Sequence, residues 1–127
     1  MAHFIVEYSA NLEGRIPFSD MFSDFHDYAS GSGVFPLAGI RSRAIRCTDY
    51  RIADGRDDYG FVHMTVKMGS GRSLDVRRNA AKNLFDILCK HLNDITTSGY
   101  CQVSFELKEL DPELKFNKNN IHELLNN

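Results

Sequence analysis

The sequence predicts an α+β fold: a tandem βαβ duplication that forms a four-stranded sheet with two helices on one face. Two observations predict it. The order strand, helix, strand occurs twice with an offset of about sixty residues, and glycines close each helix before the chain turns to its next strand. Right-handed crossovers then place both helices on the same side of the sheet. With 127 residues the chain has the length of a single domain. It divides into pseudo-repeats at about 1–55 and 56–110 and a tail at 111–127.

The first strand spans Ala2 to Tyr8, where Phe4, Ile5, Val6 and Tyr8 stand before the polar loop Ser9–Arg15. After Pro17 the period changes. Phe18, Met21, Phe22, Phe25, Tyr28 and Ala29 follow at steps of three and four, one apolar stripe of a helix. Ser19 or Asp20 can cap or charge its first turn, and Gly31 and Gly33 supply backbone at which helices end. A second strand runs from Gly39 to Cys47, and Asp54–Asp58 reads as a turn.

The second half repeats this order. Tyr59 to Met68 is a strand, and Gly69-Ser70-Gly71-Arg72-Ser73 opens a helix. Leu74, Arg77, Ala81, Leu84, Phe85, Leu88, Leu92 and Ile95 fit one face of that helix, which Gly99 ends. Tyr100 to Leu110 is the fourth strand, with Cys101, Val103, Phe105 and Leu107 alternating with polar residues. The strands read as apolar on both sides, so a second subunit is expected over the face the helices leave open. The tail carries Leu114, Phe116, Ile121, Leu124 and Leu125, too apolar to be left in water; it is expected to pack on a neighbour or close an edge, with Asn119 or Asn120 capping a short last helix.

Composition narrows the class. A formal charge of −2 offers no electrostatic attraction for nucleic acid or an anionic membrane, and no apolar run approaches the ~18 residues of a span. Cys47, Cys89 and Cys101 are odd in number, far apart and free of C-x-x-C spacing, as expected of reduced packing residues in a soluble cytoplasmic protein.

Chemistry-bearing motifs are few. The histidines, His3, His26, His63, His91 and His122, show no H-x-x-x-H spacing, so no metal is expected. His3 and His63 read as hydrogen-bonded strand residues. No G-x-S-x-G or G-K-[ST] motif occurs. The Gly69–Ser73 turn places Arg72 at a helix start, an arrangement that suits an anion or leaves a solvated arginine. Arg41 and Arg43 are two apart and share a sheet face. They serve either interface ion pairs or anion binding.

Taken in order, His3-Phe4-Ile5-Val6-Glu7, Gly39-Ile40-Arg41-Ser42-Arg43-Ala44, Asp58 to Lys67, Gly71-Arg72-Ser73-Leu74 and Ser104-Phe105-Glu106-Leu107 resemble the 5-carboxymethyl-2-hydroxymuconate isomerases of the tautomerase superfamily. The similarity spans essentially the whole chain, and the second half is also similar to one subunit of 4-oxalocrotonate tautomerase. The resemblance implies a homotrimer and a cofactor-free isomerase of aromatic-compound breakdown, acting on a small unsaturated dicarboxylic keto or enol acid. It implies Arg41 and Arg72 as the groups that bind the substrate carboxylates and the developing enolate. It also implies that the base is the amine of an N-terminal proline exposed by loss of the initiator methionine. Here that position is Ala2. With Met1 removed, Ala2 presents a primary amine; with Met1 kept, its nitrogen is an amide without useful basicity. The alternatives are a trimer that binds carboxylates without turnover, or another reaction of the superfamily such as decarboxylation or hydration.

Overall fold

A computed structural model describes residues 1–125; the last two residues of the 111–127 tail lie outside it. The elements follow the repeated order. Strand β1 (Ala2–Ser9), helix α1 (Phe18–Ser32) and strand β2 (Ile40–Cys47) form the first half. Strand β3 (Tyr59–Met68), helices α2 (Leu74–His91) and α3 (Asn93–Ser98) and strand β4 (Tyr100–Glu109) form the second, and a short α4 (Ile121–Leu125) closes the described chain.

The four strands make one mixed sheet in the order β2-β1-β3-β4. Each half contributes a parallel pair, and the halves join antiparallel through β1 and β3. Ala2 therefore pairs with Ile40 on one side and with Met68 on the other. The start of β1 is flanked by the start of β2 and the end of β3.

One face of this sheet carries Phe4, Val6 and Tyr8 opposite Val66, Met64 and Val62. Met21, Phe25 and Ala29 of α1 and Ala80, Leu84 and Leu88 of α2 join them in a single core. Both helices thus cover the same face. Phe4 packs edge-on against Phe25 and Phe35, with ring centroids 6.1 and 5.4 Å apart. Each wholly buried apolar side chain of this kind contributes about 1.5–3 kcal/mol. Helix α1 starts at Pro17 without a side-chain cap, Asp20 charging its first turn, and ends at Gly33, whose φ of 74° is left-handed.

Two expectations about α2 are corrected. The apolar stripe begins at Ala80: Leu74 is exposed, because the first two turns carry Asp75, Arg77 and Arg78 and meet water. The helix is also not continuous to Gly99. At Leu92 the backbone tightens, its N–H reaching the carbonyls of both Leu88 and Cys89 at 3.2 Å, and α3 follows. Leu92 and Ile95 remain buried across the break, so the stripe outlasts the helix.

The second sheet face also differs from expectation, for it is not apolar. The register places His3, Ile5 and Glu7 beside Arg41, Arg43 and Ile45 on one side and Lys67, Thr65 and His63 on the other. Strict two-residue alternation in β3 sends Val62, Met64 and Val66 inward and His63 and Lys67 outward. Only Ile5 and Thr65 are buried at its centre. His63 is held by Ser104 at 2.6 Å and Glu106 at 3.2 Å, in keeping with a hydrogen-bonded strand histidine.

Candidate active site

The start of β1 is held by sheet pairing rather than by its own stiffness. Ala2 is buried between two neighbouring strands. The α-nitrogen of Met1 lies 3.2 Å from the position a Cβ would take on Gly39, so a side chain at residue 39 would crowd the chain end. Beside this point a cleft of about 170 Å³ is lined by Met1, Ala2, Phe35, Met68, Ser70 and Arg72.

Arg72 is brought there by the turn into α2. Gly71 adopts a φ of 113°, and its N–H donates to Glu109 Oε2 at 3.3 Å. Ser73 caps the helix, accepting from the Val76 N–H at 3.2 Å. The Arg72 guanidinium extends across the cleft and donates to the carbonyl of Val34 at 3.2 Å. It is exposed, and it forms a wall that joins the two halves of the chain.

Arg41 stands one residue beyond Ala2's partner on β2, opposite His3 and on the outer sheet face. Its Nη1 lies 3.0 Å from His3 Nε2, while Arg43 Nη1 lies 3.1 Å from His3 Nδ1. A neutral imidazole has a single acceptor nitrogen and arginine only donates. His3 can therefore hold one of the two guanidiniums at a time. Burial first, then Arg41 and Arg43, push the His3 pKa below its ordinary value, which keeps the ring neutral. Among the described residues Arg41, Arg43 and Arg72 make no ion pair with a carboxylate.

Of the three positions singled out in the sequence, Ala2 and Arg72 line one cleft. Arg41 lies outside that lining, yet close enough for its charge to act on the chain end. The α-amine of Met1 is lowered below its ordinary pKa by burial, then by Lys115, then by Arg41. Lys115 was not among the sequence candidates. It belongs to the tail, and no periodicity or motif connects residue 115 with residue 1.

A family model for 5-carboxymethyl-2-hydroxymuconate isomerase matches residues 2–125. The chain belongs to that family. It is 42% identical, over 98% of both chains, to the 5-carboxymethyl-2-hydroxymuconate Delta-isomerase of Escherichia coli. A 5-carboxymethyl-2-hydroxymuconate isomerase from Deinococcus radiodurans R1 superposes with a TM-score of 0.91 at 28% identity, covering 98% of this chain and 93% of the other. A fused 4-OT superposes with a TM-score of 0.66 at 17% identity, over 91% of this chain and 93% of that one; that likeness concerns the fold alone. As a member of this isomerase family, the chain carries its cleft at the free end of β1.

The repeated topology produces a second hollow at the opposite end of the sheet, where β3 starts. It measures about 370 Å³ and is lined by Ile52, Ala53, Tyr59, Gly60, Tyr100 and Cys101, among others. It holds none of the arginines of the first cleft.

Proposed function

We propose that this chain is a cofactor-independent isomerase that shifts the double bonds of 5-carboxymethyl-2-hydroxymuconate in the breakdown of aromatic compounds. The observation that supports this most, within a family of isomerases, is the meeting of the chain's α-amine with unpaired cations at the start of β1. The compound has an enol hydroxyl on carbon 2 conjugated with a second double bond between carbons 4 and 5. It bears a carboxylate at each end of its six-carbon chain and a third on the carboxymethyl arm. That is one carboxylate more than the dicarboxylic acid expected from the sequence.

The reaction needs a neutral base and a cation near the enol oxygen. The amine takes the hydroxyl proton. The oxygen electrons form the carbonyl at carbon 2, the double bond moves to carbons 3 and 4, and a proton is added at carbon 5. Arg41 and Arg72 bind carboxylates and offset charge on the enolate oxygen. Burial, then Lys115 and Arg41, disfavour the ammonium form of the Met1 amine, and in this reading the same cations act on the Ala2 amine once Met1 is gone.

The amine is that of Ala2 after removal of Met1. A proline ring fixes its own nitrogen; at Ala2 the register with Ile40 and Met68 does the fixing. The enzyme is a cytoplasmic homotrimer in this reading. That assembly is the one the family resemblance implies.

The test is the ultraviolet absorbance change of the enol acid, with intact mass to establish whether Met1 is present. Processed protein turns the acid over, and Ala2→Pro raises kcat by about tenfold or more, as expected for a better-oriented base. If neither protein turns the acid over and both bind it, the chain is a carboxylate-binding protein, a reading that the missing proline favours.

A further inference from the structure

The C-terminal tail is fastened at two points near the cleft described above. It leaves β4 with the Leu110 N–H donating to the Met68 carbonyl at 2.7 Å. It is fastened again where Asn119 Nδ2 donates to the Ala38 carbonyl at 2.8 Å. Asn119 Oδ1 also accepts from the Ile121 N–H at 2.9 Å and so caps α4. These two anchors stand beside Met68 and Ile40, the residues that pair with Ala2 on either side. In the segment between the anchors Leu114 and Phe116 are exposed, and Lys115 comes near the chain end. Lys115 lies in that segment, its Nζ 3.1 Å from where a Cβ would stand on Gly69, at the rim of the cleft. Among the described residues it has no carboxylate partner.

We propose that Lys115 is the third substrate-binding cation of the site and takes the carboxylate of the carboxymethyl arm. The inference rests on the isomerase reading, which gives the substrate three carboxylates and matches only two of them with arginines. Lysine suits the third position. A compact ammonium on a flexible stem can follow a carboxylate on a rotatable arm, whereas the planar forks of Arg41 and Arg72 suit the fixed ends of a conjugated chain. The absence of a side chain at Gly69 leaves room for the ammonium. The position has a second effect. Lys115 and Arg41 both act on the Met1 α-amine at this chain end, with His3 kept neutral, Arg72 across the cleft and Glu109 engaged by Arg77 at 3.4 Å. Removing Lys115 withdraws a positive charge and raises the amine's pKa.

Calorimetric binding of two stable saturated acids tests this on the intact chain: adipate, and 2-(carboxymethyl)adipate, which adds the third carboxylate. Lys115→Gln weakens the tricarboxylate about tenfold, the worth of one charge-assisted contact, and leaves adipate unchanged. Lys115→Arg stays within about threefold for both acids. Gly69→Ala, at a backbone angle that alanine accepts, displaces the ammonium and weakens the tricarboxylate alone by about two- to threefold. In turnover, Lys115→Gln also moves the alkaline-rising limb of the rate to higher pH. Equal loss for both acids means that Lys115 only fastens the tail, and no loss for either means that it does not touch substrate; both overturn the proposal. If the unaltered chain binds neither acid, the isomerase reading itself falls.

Discussion

His3 is the residue on which the site's electrostatics turn. One neutral ring between two guanidiniums can satisfy only one of them, so a second donor stays available to an anion without breaking any ion pair. Arg41→Ala and Arg72→Ala should each lower kcat/KM by about a hundredfold, as for loss of a charge-assisted contact to the reacting acid. Arg72→Lys recovers only part of that, because it keeps the charge and loses the fork. The pH dependence has a definite sign. On the proposed mechanism the base is the free amine at this chain end, where burial and cations hold the Met1 amine below its ordinary pKa, so activity should rise with pH and reach its plateau lower than an exposed amine would allow. Arg41→Ala removes a cation, raises that pKa and shifts the rising limb upward; a pH profile of kcat/KM reads the shift. That Arg41 and Arg72 come near one end of β1 was legible in the sequence because short motifs surround them. The competition for His3 was not, since it depends on a register between residues 3, 41 and 43 that only the folded sheet sets.

At the scale of elements, the two-residue and 3.6-residue periods carried most of the fold. Phe4, Val6 and Tyr8, and Met21, Phe25 and Ala29, stand on the faces their spacing implies. Leu84 lies at the centre of the α2 face, fully buried, and Leu84→Ala should destabilise the chain by about 2–5 kcal/mol in denaturant titrations. What periodicity did not reveal was where one helix becomes two. Leu92 and Ile95 continue the stripe, so hydrophobic spacing is blind to the break between them. A contact between helices was equally hidden: His91 of α2 donates from Nε2 to Asp24 of α1 at 2.6 Å. That hydrogen bond, assisted by Lys90, lowers the Asp24 pKa. A carboxylate depressed in the folded state adds stability above its unfolded pKa and loses it as pH falls through the folded value. Melting temperatures of the parent and of Asp24→Asn should therefore differ at neutral pH and converge in acid.

For the whole molecule, the sheet's outer face is where the proposed assembly can be tested. Its rim is charged, and Ile5 and Thr65 at its centre are already buried within the single chain, so a subunit contact there would be largely polar. A homotrimer predicts a sedimenting mass three times 14.4 kDa. Ile5→Lys should break it into monomers with an unchanged far-ultraviolet spectrum. The sequence reading expected a subunit over an apolar face; the face is polar, because runs of strand residues look uniformly apolar until alternation is assigned. The duplication has one more consequence. Covalent linkage turns the start of the second half into an ordinary peptide: at Tyr59 the nitrogen is an amide, and the larger hollow beside it has no amine to offer. Two unjoined βαβ chains would present two titratable ends to the sheet, one at each edge of the β1–β3 seam. This chain presents one, so the proposed trimer would hold three bases rather than six.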